Sequence, residues 1–140
     1  MSMNELDALI EEAGRRGYLW HQFRPDRHGP EVLAGVLRWG SCADVVVLTD
    51  ERSTHAYRTP TEQGDDVFAP MRVHWWYGRN DSAVGCNGVS MVWILRALLT
   101  LPTPDERLPP LVSAPAGTGV SGERFPVRVS LRRESSHAWV

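Results

Sequence analysis

A chain of 140 residues with 42% apolar side chains is long enough to bury one core and too short for two ordinary domains, so a single globular domain over residues 1–140 is expected. All 15 residues counted as Lys or Arg are arginine, which excludes Schiff-base chemistry and the lysine of a phosphate-binding loop. The net charge of −2 and a pI near 6.2 argue against a protein that coats nucleic acid or an anionic membrane, since that binding needs many clustered cations.

Residues 4–16 carry Leu6, Leu9, Ile10 and Ala13 at helical spacing behind a capping Asn4, with acids in the first turns and Arg15, Arg16 and Gly17 at the end. This predicts an amphipathic helix. Its acidic character and interrupted apolar residues match neither a signal nor a transit peptide, and a cytoplasmic location is expected. Pro30 followed by Val32, Leu33, Val36 and Leu37, with Gly40 past the end, predicts a short second helix over residues 30–39, with a strand as the alternative. The run Val45, Val46, Val47, Leu48 lacks alternation and predicts, over residues 44–49, a strand buried on both faces. Residues 54–59 read as its hairpin partner across the polar turn 50–53.

After a loop at residues 61–66, residues 72–77 read as one strand. Alternation puts Val73, Trp75 and Tyr77 on one face and His74 and Trp76 on the other. A polar loop at 78–88 leads to a third helix over 89–100, whose buried stripe is Met91, Ile94, Leu95, Leu98 and Leu99. Pro102 and Pro104 stop it. The apolar stretch 91–101 contains Arg96 and is too short to cross a membrane. Residues 101–123 hold five prolines and three glycines, a composition that fits a long surface connection or flap. Residues 125–131 alternate Val127 and Val129 with Arg128 and Ser130, a half-exposed strand. The fold class is α+β: a small, mainly antiparallel sheet packed with two or three helices.

Six tryptophans stand out in the composition, because a large ring with an N–H donor serves both cores and binding hot spots. With aromatic residues on both faces of the 72–77 strand, either both faces are covered or Trp76 and His74 line a partner surface. Residues 15–29 interleave four arginines with Tyr18, Trp20, His21, Phe23 and His28, and make Trp20 and Arg24 candidate binding residues for a nucleotide or single strand. The competing reading packs these aromatics inward and pairs the arginines with the acidic first helix.

His21, His28, His55, His74, His137, Cys42 and Cys86 are scattered, with no C-x-x-C, no H-x-x-x-H and no zinc-deaminase pattern, so neither a metal nor another cofactor is expected. The two cysteines read as free thiols. Cys86, just ahead of the third helix, is the candidate nucleophile, because a helix N-terminus stabilises a thiolate and His55, His74 or His137 could serve as base. The same residue also fits as an inert small side chain. No G-x-S-x-G elbow occurs. Arg96, alone in an apolar stretch, needs a carboxylate such as Asp44 if buried, or else binds an anion.

The expected function is a small binding or accessory protein acting through a tryptophan-rich surface, with Trp76, His74 and Arg96 as candidates, on a protein partner. A homo-oligomer is compatible with this. The alternative is an enzyme with a cysteine-dependent or arginine-lined anion site, and a nucleic-acid-binding module is the weaker third.

Overall fold

The computed structural model describes residues 3–23, 32–49, 54–61, 66–78, 91–104, 108–120 and 126–129. Its elements in chain order are α1 (Met3–Arg15), β1 (Leu19–Phe23), β2 (Val32–Arg38), β3 (Cys42–Leu48), β4 (His55–Pro60), β5 (Arg72–Val73), β6 (Trp75–Gly78), α2 (Met91–Leu99), β7 (Val112–Ser113) and β8 (Pro126–Val129). Six strands form one sheet in the order β6-β4-β3-β2-β1-β8, and β5 pairs with β7 in a second, two-stranded sheet. Every pairing is antiparallel. The fold is thus α+β, with two helices among the described residues.

β3 sits in the middle of the large sheet, and all seven of its residues are buried, as its unbroken β-branched run requires of a strand covered on both faces. β4 is its hairpin partner, with Val47 opposite His55 and Val45 opposite Tyr57. The turn at 50–53 that joins them lies outside the described residues, as do most of the loop 78–88 and the first positions expected of the third helix.

Residues 32–38 are a strand, not the helix that Pro30 and Gly40 suggest. Val32, Ala34 and Val36 face one side and Leu33, Gly35 and Leu37 the other, a period of two that coexists in this segment with helical spacing. Tertiary pairing decides the outcome, because β2 supplies the ladder for both β1 and β3. The expected single strand over 72–77 is also corrected. It breaks at His74, whose N–H donates to the Arg58 carbonyl at 2.8 Å, and the chain passes there from the small sheet into the large one. The break resets the alternation. Val73 therefore shares a cluster with Trp76, while Trp75 and Tyr77 pack on the opposite side.

One sheet face carries Trp20, Val46, Leu48 and Ala56 beneath the inner stripes of α1 (Ile10, Ala13) and α2 (Ile94, Leu95, Leu98, Leu99). The other carries Phe23, Val32, Ala34, Val36, Ala43, Val45, Val47 and Tyr57 beneath Val67, Phe68, Val73, Ala114 and Val120. The Pro-rich connection thus supplies part of the second cover, and β7 within it is a strand of two residues.

Gly35 has no side chain for a packing reason: a Cβ there would lie 2.9 Å from Cζ3 of Trp20. Gly35→Ala is expected to destabilise the fold by about 1–3 kcal/mol, the usual cost of overpacking a filled core, read as a lowered denaturant midpoint with an unchanged slope.

Candidate functional site

A buried ion pair lies on the helix-covered face. Asp44 of β3 and Arg58 of β4 stand directly opposite each other, with Arg58 Nε 2.5 Å from Asp44 Oδ1 and an Arg58 terminal nitrogen 2.9 Å from Oδ2. Both side chains are almost wholly removed from water. This is the two-pronged geometry that a planar guanidinium makes best. Trp39, in the β2–β3 connection, adds a third donor, its Nε1 reaching Asp44 Oδ2 at 3.0 Å.

The neighbouring titratable groups are held in their protonated forms. Burial pushes the Tyr18 hydroxyl far above the usual range, and the Asp44 charge pushes it further. Burial likewise raises the Cys42 thiol, so it is a thiol and not a thiolate at neutral pH. The hydrogen bond to Asp44 raises Arg58. With both carboxylate oxygens engaged and the arginine locked, this cluster offers structure and no open coordination or acid–base position.

The second polar group lies on the other face. The His55 imidazole stacks on Tyr57 (centroids 5.8 Å apart, 19° between planes) and on Trp76 (6.1 Å, 22°). Its Nε2 accepts the Gly119 N–H at 2.9 Å. The Tyr57 hydroxyl donates to the Val67 carbonyl at 2.5 Å, and burial raises its pKa well above the ordinary phenol range.

Among the residues singled out by sequence, Trp76 is half-buried in this stack, its Nε1 enclosed without a hydrogen-bond partner. His74, also half-buried, sets Nδ1 2.7 Å from the Pro109 carbonyl. Arg96 lies on α2, beyond the opposite face of the sheet, so Trp76 and His74 do not converge with it. Arg96 is also exposed rather than buried, and its partner is Glu5 of α1, not Asp44, which the in-register Arg58 already occupies.

Trp20 is buried under the helices. Tyr18 packs beside it in the same cluster, while His21 and Phe23 meet Phe68 edge-on at 5.5 and 4.9 Å. Arg15 and Arg16 pair with Glu11 and Glu12. The described part of the 15–29 segment therefore follows its inward-packing reading. Arg24, His28, Cys86 and His137 lie outside the described residues.

Sequence reasoning passed over Trp93. This indole is 59% exposed on the outer side of α2, with the Arg96 guanidinium carbon 5.4 Å from its ring centroid, the i, i+3 geometry of a helix surface. The signal was present in the sequence: position 93 lies off the stripe formed by Ile94, Leu95, Leu98 and Leu99.

Asp44→Leu or Arg58→Met alone should each destabilise the fold by about 3–5 kcal/mol, because each leaves an uncompensated buried charge, whereas the double variant should recover most of that loss. Thermal or denaturant unfolding of the three variants checks this. Among the described residues, no group of three or more His, Cys, Asp or Glu side chains could hold a metal ion, and no helix is long and apolar enough to cross a membrane. Comparison with known families, curated proteins and solved structures finds no match to this chain.

Proposed function

We propose that the protein is a small binding protein that engages a protein partner through an exposed aromatic surface on α2, with Trp93 as the anchor and Arg96 beside it. One observation carries this reading: Trp93 leaves 59% of its surface in water on a helix whose inner stripe is already used by the core. A large ring held on a rigid helix loses little conformational freedom on binding, and tryptophan and arginine are the residue types most enriched at binding hot spots. The Glu5 carboxylate holds Arg96 next to the ring. A fitting partner offers an apolar recess for the indole, bordered by an acceptor for the guanidinium. Cys42, a buried free thiol, supports a reducing, cytoplasmic setting.

Trp76 serves the fold in this reading. Trp76→Ala should lower stability by about 2 kcal/mol or more, since it opens a cavity beside His55. Trp93→Ala should leave the melting temperature nearly unchanged and weaken partner capture about 30-fold or more, the scale of a hot spot. Affinity capture with the wild-type chain and each variant, quantified against melting curves, checks both outcomes. Equal capture by wild type and Trp93→Ala would remove the proposal's basis.

A further inference from the structure

The sheet face turned away from the helices is covered by chain that is mostly irregular, and besides the β5–β7 pairing four hydrogen bonds tie residues 108–120 down. The Ala114 N–H donates to the Met71 carbonyl at 3.0 Å, and the Val120 N–H to the Phe68 carbonyl at 2.8 Å. His74 Nδ1 meets the Pro109 carbonyl at 2.7 Å. The Gly119 N–H donates to His55 Nε2 at 2.9 Å, in a buried position.

Gly119 has little freedom to adjust. Its φ of +90° lies in the left-handed region, and a Cβ would come within 2.1 Å of the Phe68 carbonyl oxygen. The four contacts differ in what a proton does to them. A carbonyl accepts in every state, so a histidine nitrogen facing one, as His74 Nδ1 does, is an N–H donor whether the ring is neutral or charged. His55 Nε2 faces a donor and must present its lone pair, which only the neutral ring has.

We propose that His55 is an acid-sensitive latch on this cover: proton uptake at Nε2 turns the acceptor of the Gly119 N–H into a second donor, releases residues 115–120 and uncovers the stacked rings of His55, Tyr57 and Trp76. The step is a simple proton transfer from solvent to the ring nitrogen, with one hydrogen bond broken. Groups set against the imidazole include the Tyr57 and Trp76 rings, Gly78 on β6, whose Cα position would place a Cβ 2.7 Å from that of His55, and Gly119. Of the titratable groups on the surrounding elements, the Tyr57 phenol is held protonated by burial. Asp66 spends Oδ1 on the Phe68 N–H, and His74 keeps its contact in acid. The contact at Gly119 is present when His55 is neutral and lost as pH falls, so release starts at residues 115–120 and not at 108–110.

Native-state amide exchange followed by NMR on the full chain, expressed as protection factors to remove the intrinsic pH dependence, tests the latch. If the closed state excludes the proton and the open ring titrates as an ordinary imidazole near 6.5, protection at Gly119 and Val120 falls about 30-fold between pH 7.5 and 5.0. Protection at Val45–Val47 stays higher than at Gly119 at both pH values, because those amides exchange only when the β3–β4 ladder itself opens. Below about pH 6.5 the loss at Gly119 and Val120 should approach tenfold per pH unit, as uptake of one proton by the open ring requires. His55→Gln, which keeps an acceptor in reach and cannot take up a proton there, should abolish the pH dependence. His55→Phe, which keeps a stacked ring and has no acceptor, should leave Gly119 poorly protected at both pH values. A flat wild-type profile, an equal loss in His55→Gln, or protection at Gly119 as high as at Val45–Val47 overturns the proposal. If neither variant folds, the wild-type profile decides it: a fall at Gly119 and Val120 that approaches tenfold per pH unit below about 6.5 supports the latch, and any other profile overturns it.

Discussion

A carboxylate and a guanidinium, both almost wholly removed from water, face each other across β3 and β4, and most of the arrangement around them depends on that pairing. Side chains alternate along a strand, so a slip of one residue would send Asp44 and Arg58 to opposite faces and leave two buried charges alone. The same register decides what the rest of β4 does. With Arg58 turned toward the helices, His55 and Tyr57 must turn away, and the strand's two faces acquire different chemistry. Trp39 reinforces the choice, because its indole donor reaches Asp44 only while the β2–β3 connection holds its place.

The two faces are covered in different ways. Helices α1 and α2 bring periodic apolar stripes that interlock with Trp20, Val46, Leu48 and Ala56, and such packing is cooperative. The other cover consists of short segments that contribute single side chains, Val67, Phe68, Val73, Ala114 and Val120, joined by individual hydrogen bonds. Met71 at 85% and Val112 at 58% exposure show how thin it is. Regions with few buried apolar groups per residue open at lower free energy than packed helices, so one hydrogen bond to a titratable ring carries a larger share of the closure here.

The readable parts of the sequence were those with one dominant pattern. Leu9, Ile10 and Ala13 on α1, and Ile94, Leu95, Leu98 and Leu99 on α2, have only a helical reading, and the valines of β3 only a buried-strand one. Residues 32–37, Val-Leu-Ala-Gly-Val-Leu, satisfy both periods, and pairing with two neighbours settles the matter at a distance that no local window contains. The break at His74 depends on a carbonyl of Arg58 sixteen residues earlier.

The partner of Asp44 shows how small the missing information can be. A four-residue turn at 50–53 closing residue 49 on 54 would set Asp44 against Thr59; the observed register instead closes 48 on 54 and sets it against Arg58. Thr54 accounts for part of the difference, since its hydroxyl oxygen accepts the Thr49 N–H at 3.0 Å and substitutes for a ladder bond. The candidate surface was half legible. Arg96 stands out by its charge, while Trp93, one helical turn before it, is one of six tryptophans and is set apart only by its position off the stripe.

Because His55 and Arg58 lie on one strand but on opposite faces, movement of the cover over His55 does not require movement of the ion pair. Releasing residues 115–120 removes a neighbour from the imidazole and leaves the β3–β4 ladder, the Asp44–Arg58 pair and the helix layer as they were. Trp93 and Arg96, on the outside of that layer, keep their geometry through the change. The sheet therefore works as a partition. Its central register is fixed by charges that tolerate no slip, and this supports the proposed division in which the helix side presents an anchor while the other side is held closed by contacts weak enough to open.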